Sequence, residues 1–324
     1  MLAKNNQWVL CFVLNFVLLL SPVMVHAFDI RLGTGAPGSF SYFSGRVLCR
    51  MINSKIADLN CHQVATGEKG DVYNLTNLRD GSLDIILIDS HPLFNAINKT
   101  ENFEFMDIDY GNLRVLAPFY VTPITMIVRN DAGINSLNDL KGKRVNAGAP
   151  GSKEYLAMHR ILKAKKWSNN DFSLLGNLSP SQSNDDRKSF CYGTMQAMVF
   201  IGIHPDFSLS RLLKTCNGSL LNLNDSDIEA LISSDPALWM TELPAGMYPT
   251  HPGKVVTFGT RTMLIVSEDF DPETAYKIIE AIDKNKTYLE GIHKSLGLFS
   301  TEVARNNPDG LQLHPGAVRY LSEH

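Results

Sequence analysis

The tetrapeptide Ala-Pro-Gly-Ser occurs twice, at residues 36–39 and 149–152, and each copy joins a short apolar run to a stretch with helical periodicity. The first copy follows the run Asp29 to Leu32 and Gly33-Thr34-Gly35, and leads into Phe40 to Asn53. The second follows Arg144 to Asn146 and Gly148, and leads into Lys153 to Lys166. Glycine allows the chain to turn sharply after a strand, and a serine at a helix entrance accepts from a backbone N–H. The neighbouring N–H groups and the positive end of the helix dipole then form a site for an anion. One such turn is ordinary in an α/β fold. Two copies, far apart in the chain, point to two lobes that face one ligand.

The first residues predict export. Lys4 precedes the apolar run Trp8 to Leu20, then Ser21-Pro22 and the small-residue site Val25-His26-Ala27, the pattern of a signal peptide cleaved after Ala27. The run is short against the roughly 20 residues that a membrane span needs. Residues 1–27 are therefore read as the leader, and the mature chain begins at Phe28. Cys11 leaves with it, so that Cys49, Cys61, Cys191 and Cys216 remain in an exported chain, in a compartment that favours oxidation. Of the three possible pairings the two local ones are expected, Cys49 with Cys61 and Cys191 with Cys216. The alternative, metal ligation, lacks a Cys-x-x-Cys or a regular His spacing to support it, and neither metal nor cofactor is expected.

The mature chain carries 29 basic and 33 acidic residues, which argues against a nucleic-acid partner, since that needs a dense basic face. Its strand-like and helix-like stretches alternate. Ile30 to Gly33, His62 to Ala65 and Leu83 to Ile88 read as strands between helical patterns at Ser41 to Asn53, Asp71 to Arg79 and Ser90 to Ile97. This favours a parallel or mixed sheet with helices on both faces. Leu113 to Tyr120 and Thr125 to Arg129 read as two strands broken at Thr122-Pro123, a natural place for the chain to cross between lobes. The long run Val255 to Ser267 brings it back, and Asp271 to Tyr288 reads as one amphipathic helix opening on Asp-Pro-Glu. The expected architecture is two α/β lobes, the second inserted in the first, with lobe I at 28–121 and 250–324 and lobe II at 122–249.

Such an arrangement is that of the type II periplasmic binding proteins, and particular residues carry a closer likeness. These are Arg31-Leu32-Gly33-Thr34-Gly35, Asp71-Val72-Tyr73-Asn74, Leu113-Arg114-Val115-Leu116, and the block from Asp131-Ala132-Gly133-Ile134 through Asp139-Leu140-Lys141-Gly142-Lys143-Arg144-Val145 to Pro150-Gly151-Ser152. Pro244-Ala245-Gly246-Met247-Tyr248 and Leu313-His314-Pro315-Gly316-Ala317-Val318 complete the set. On these the chain resembles the TAXI family of TRAP transporter solute receptors over nearly all of its mature length. The resemblance implies a periplasmic receptor that encloses a small organic acid or amino acid, such as glutamate or a dicarboxylate, and passes it to TRAP membrane subunits. It implies no catalysis. No nucleophile elbow, phosphate loop or His-Glu-x-x-His motif is found. An exported sensor or adhesion module on the same fold is the alternative, and an exported hydrolase or transferase a more distant one.

The candidate ligand contacts are Thr34, Gly35 and Tyr42 at the first turn, Asp89, Ser90 and His91 after the third strand, Pro150, Gly151, Ser152 and Lys153 at the second turn, and Arg261 in the returning strand. Several of these depart from the family pattern. The second glycine of the first turn is Ala36, and Ser41-Tyr42 replaces a tyrosine pair. Thr66-Gly67-Glu68-Lys69-Gly70 carries a charged insertion, Asp89-Ser90-His91 stands for Gln-Ser-Asp, and Lys153 and Arg261 replace small residues. Each has a plainer role as well, Asp71 as a helix N-cap and Arg261 in an ion pair with Asp89 or Glu68. An arginine inside an apolar strand is rarely left unpaired, and its guanidinium can grip a carboxylate with both arms, so Arg261 is the expected anchor of a ligand carboxylate. Asp71 and Asp89 near the same cleft favour a ligand that also bears an ammonium group.

Overall fold

The computed structural model describes residues 27–67, 70–176, 183–297, 299–305 and 311–324. Its first half runs β1 (Phe28–Thr34), α1 (Phe40–Lys55), β2 (Leu59–Ala65), α2 (Gly70–Arg79), β3 (Ile85–Asp89), α3 (Ser90–Asn98) and the long β4 (Leu113–Arg129). Next come β5 (Arg144–Asn146), α4 (Lys153–Lys165), β6 (Leu174–Gly176), α5 (Ser183–Cys191), β7 (Ala197–Ile201), α6 (Phe207–Thr215), β8 (Gly218–Leu221), α7 (Ser226–Ser234) and β9 (Trp239–Leu243). The return strand β10 (Val255–Ser267) is followed by α8 (Pro272–Lys284), α9 (Lys286–Ile292), α10 (Thr301–Arg305) and α11 (Pro315–Glu323). Residues 1–26 of the leader and Glu68-Lys69 lie outside the described residues.

Both Ala-Pro-Gly-Ser segments fold into the same turn. The Ser39 N–H donates to the Ala36 carbonyl at 3.0 Å, and the Ser152 N–H to the Ala149 carbonyl at 2.9 Å. Proline presets the first corner. Gly38 at φ 91° and Gly151 at φ 83° take the left-handed second corner that a type II turn requires. Each serine then caps its helix, Ser39 accepting from the Tyr42 N–H at 3.1 Å and Ser152 from the Tyr155 N–H at 3.2 Å.

The strands form one sheet in the order β2-β1-β3-β10-β4-β7-β5-β6, with β8 on β4 and β9 on β10. Within it β1, β2 and β3 are mutually parallel, as are β5, β6 and β7, while β10 is antiparallel to both β3 and β4, and β4 to β7. The two parallel sets therefore run in opposite directions, and their carboxyl ends meet. Asp89, ending β3, pairs with Thr262, and Ile201, ending β7, pairs with Ile124. Carboxyl ends of parallel strands are where open α/β sheets place ligands. Here both sets converge on the middle of the crossing strands β4 and β10.

The buried apolar side chains divide at the same place. Two clusters join residues before Val121 to residues after Thr262, around Leu32, Ile52, Ile86, Leu264 and Ile279; the other two join Ile124 through Phe258, around Leu140, Ile161, Leu213 and Tyr248. Each half thus buries a core of its own, and the chain is a two-lobed α/β protein. Disulfides join Cys49 to Cys61 and Cys191 to Cys216, one in each half.

Two expected element boundaries are corrected. Thr122-Pro123 does not break β4, which is continuous for 17 residues. Pro123 sits opposite Gly259 and just before the pairing with β7 begins at Ile124, so a missing N–H costs little there. The single helix expected from Asp271 to Tyr288 is instead α8 and α9, separated at Asn285. The amide of Asn285 donates to the Ala281 carbonyl at 2.8 Å and ends the first helix.

Candidate functional site

A cavity of about 260 Å³ opens where the strand ends converge. Its base is Thr122, Ile124 and Thr260 of the crossing strands. One wall comes from Asp71 in the first turn of α2 and from Asp89 and His91 at the entry to α3, and the other from Lys153, Leu156 and Arg160 on α4. Lys153, Leu156 and Arg160 share one helix face because their spacing of three and four residues follows the helical repeat. The cavity thus sets carboxylates of one lobe against cations of the other.

Asp89 is positioned twice over. As N-cap of α3 it accepts from the His91 N–H at 3.0 Å, and its other oxygen accepts from the Thr260 hydroxyl at 2.5 Å. Asp71 is exposed to solvent at the mouth of the cavity. Desolvation raises its pKa, the charge of Asp89 adds to that rise, and Lys153 across the cleft opposes it. The pKa of His91 is lowered, first by burial and then by Arg160, against the opposite pull of Glu101, Asp89 and Asp235. Its Nε2 lies 3.4 Å from Glu101, whose other oxygen accepts from the Asn95 amide at 2.8 Å. Protonating Asp71, or bringing a cation between it and Asp89, relieves the repulsion in this pair.

The structure brings Asp89, His91 and Lys153 of the expected residues into this cavity, and leaves the others elsewhere. The Thr34 side chain is fully buried, its hydroxyl donating to the Val64 carbonyl at 3.2 Å. The Gly35 N–H donates to Ser41 Oγ at 3.2 Å. Tyr42 is half-buried, with its carbonyl accepting from Gln63. Ser90 is buried and joins three segments, donating to the Ala237 carbonyl at 2.7 Å and accepting from the Arg261 N–H at 3.1 Å. Pro150 and Gly151 are exposed at the tip of the second turn. Ser152 faces a separate cavity of about 290 Å³ with Asn146, Glu154 and Arg187.

Arg261 is displaced most from its expected role. Successive strand residues point to opposite faces, so with Thr260 in the cavity base Arg261 points to the other side of the sheet. There it is buried, its guanidinium 4.1 Å from the centre of the Trp239 ring. What sequence reasoning missed is Arg160 and Thr260. Arg160 was signalled by its seven-residue spacing from Lys153 on one helix, whereas Thr260 became relevant only through pairing of β10 with β3. Among the described residues, no group of three or more His, Cys, Asp or Glu is arranged to hold a metal ion, and no helix is long and apolar enough to cross a membrane.

A family model described as the NMT1-like family matches residues 32–324, and the chain belongs to that family. Among solved structures it is similar to a TctC solute binding protein from Polaromonas, with 15% identity, coverage of 91% of this chain and 96% of that one, and a TM-score of 0.57. It also matches the sulfonate-binding protein SsuA of a putative sulfonate ABC transporter from Methylobacillus flagellatus, at 14% identity, 92% and 84% coverage and a TM-score of 0.48. A polar amino acid ABC uptake transporter substrate binding protein from Streptococcus thermophilus matches at 13% identity, 87% and 90% coverage and a TM-score of 0.48. The chain shares its two-lobed α/β fold with the TctC solute binding protein.

Proposed function

We propose that this NMT1-like chain is an extracytoplasmic solute receptor that closes its two lobes around a small amino acid and delivers it to a TRAP-type membrane transporter. The observation that carries the reading is the cavity between the lobes, with Asp71 and Asp89 on one wall and Lys153 and Arg160 on the other. A zwitterion fits that division of charge, its ammonium between the two carboxylates and its carboxylate toward the cations. A simple dicarboxylate would meet repulsion from one wall. Lys153 and Arg160 take the part expected of Arg261.

The proposed lobes are 28–121 with 250–324, and 122–249; Val255 and Phe258 pack in the second-lobe clusters, which favours a return crossing nearer Phe258 to Met263 than residue 250. The leader pattern and the two disulfides support delivery to the periplasm, with a mature amino terminus at Phe28. The TRAP partner rests on the TAXI-like segments, and a ligand-closed form gives such a partner a surface to select. The test is calorimetry of the purified mature protein against amino acids and dicarboxylates, paired with small-angle scattering. The expected result is saturable binding of an amino acid with a smaller radius of gyration. Binding of dicarboxylates but not amino acids, or binding without contraction, would overturn it.

A further inference from the structure

A larger cavity, of about 710 Å³, lies on the opposite face of the crossing strands. Val121 and Pro123 line it, whereas Thr122 and Ile124 line the cleft between the lobes. The alternation of side chains along β4 therefore places the two cavities back to back. The rear cavity also spans the two lobes. Lys286, Glu290 and the turn through Lys294 come from one, and Pro205 and the segment Leu243–Met247 from the other. Its volume falls in the range of small-molecule sites, about 300–1,000 Å³.

His204 forms part of its wall and is only 3% exposed. Its Nδ1 is 2.6 Å from the Tyr248 hydroxyl, which accepts from the Asp206 N–H at 2.9 Å. The arrangement in which the phenol uses its one proton is donation to Nδ1, and this places the imidazole proton on Nε2. Nε2 is buried without a hydrogen-bond partner among the described residues, and with almost no exposed surface it lies behind the cavity wall. Burial lowers the His204 pKa to about 4, and the ring is neutral at pH 7. Of the charged residues around the cavity, Glu290 pairs with Lys294 at 3.1 Å and Glu242 with Lys254 at 2.8 Å. Lys286 has no ion-pair partner among the described residues. The remaining lining is largely apolar.

We propose that this rear cavity is a second binding site, for a small amphipathic carboxylate whose alkyl body lies against Pro123, Leu243 and Met247 and whose carboxylate is held by Lys286. The site shares no lining residue with the cleft between the lobes.

Octanoate serves as the probe, with octanol as its neutral counterpart, both titrated calorimetrically into the mature protein. Octanoate is expected to bind saturably and octanol at least about tenfold more weakly, as for loss of a charge-assisted contact. Lys286→Gln should weaken octanoate by about tenfold, and Ala245→Trp, which fills the cavity from an exposed loop position, should abolish it. Both variants should keep the melting temperature and the amino-acid affinity of the front cleft. No saturable octanoate binding, or binding that neither variant alters, would overturn the proposal.

Discussion

Replacing Gly259 by alanine would place a Cβ 2.2 Å from the Thr122 carbonyl oxygen, 2.8 Å from Pro123 Cα and 2.9 Å from the Thr122 carbonyl carbon. All three are backbone atoms of β4, so no side chain can rotate away. Carbon–oxygen contacts need more than 3 Å, so β10 and β4 must part by roughly 1 Å at the midpoint of their crossing. Overpacking of this kind costs about 1–3 kcal/mol. The pairs on either side, Phe258 with Ile124 and Thr260 with Thr122, would stretch with it, and each weakened ladder bond adds about 0.5–1.5 kcal/mol. A loss of about 2–6 kcal/mol follows, or a fall of roughly 3–10 °C in melting temperature for a chain of this size. Thr122 and Thr260 also line the cleft, so amino-acid affinity should fall with stability. Calorimetric melting of the oxidised protein measures the first effect, with Gly291→Ala as the control. Gly291 is an exposed helical glycine with nothing within 4 Å of an added Cβ, and its replacement should be neutral or slightly stabilising. Equal melting temperatures for the two variants would refute the claim that the crossing strands require a glycine.

Lys153→Gln should weaken amino-acid binding by roughly tenfold to a hundredfold while leaving the fold intact, as calorimetry and a far-ultraviolet melt will show; an unchanged affinity would remove Lys153 from the site. Asp71→Asn should abolish binding yet stabilise the ligand-free protein at neutral pH. The folded state holds the Asp71 proton more tightly than the unfolded state, so deprotonation as pH rises above the ordinary carboxylate value is destabilising, and the variant lacks that loss. His204 has the opposite slope. Its folded pKa of about 4 lies below the ordinary 6.5, the unfolded chain binds more protons between these values, and stability should fall by up to about 3 kcal/mol as pH drops through that window. Denaturant titrations at pH 7 and pH 4.5 on the native protein and His204→Gln should show a smaller difference in the variant. Removing the Cys191–Cys216 bridge, whose sequence separation is 25, should cost about 3.5 kcal/mol in the chain-entropy model, against about 3 for Cys49–Cys61 with its separation of 12. Paired Cys→Ser variants compared by urea unfolding would show whether the longer loop matters more.

Local chemistry was legible in the sequence wherever neighbours along the chain decide it. Proline and glycine at fixed corners and a serine at each helix entrance specify the two matching turns, because turn type and capping depend on only four or five consecutive residues. Alternation of strands and helices likewise implied a layered α/β fold, and the local cysteine spacing led to the two bridges that form. Tertiary structure alone decided which residues share a cavity. Asp89 reaches the site because β3 ends beside β10, and Thr260 because β10 returns antiparallel to it. Arg261, one residue further, is turned to the opposite face by the pleat. A strand's two faces are distinguished only by what packs on each, and that depends on pairing between segments more than a hundred residues apart. The same long-range pairing carried β4 through Pro123, where Gly259 leaves room for the close approach of the two strands.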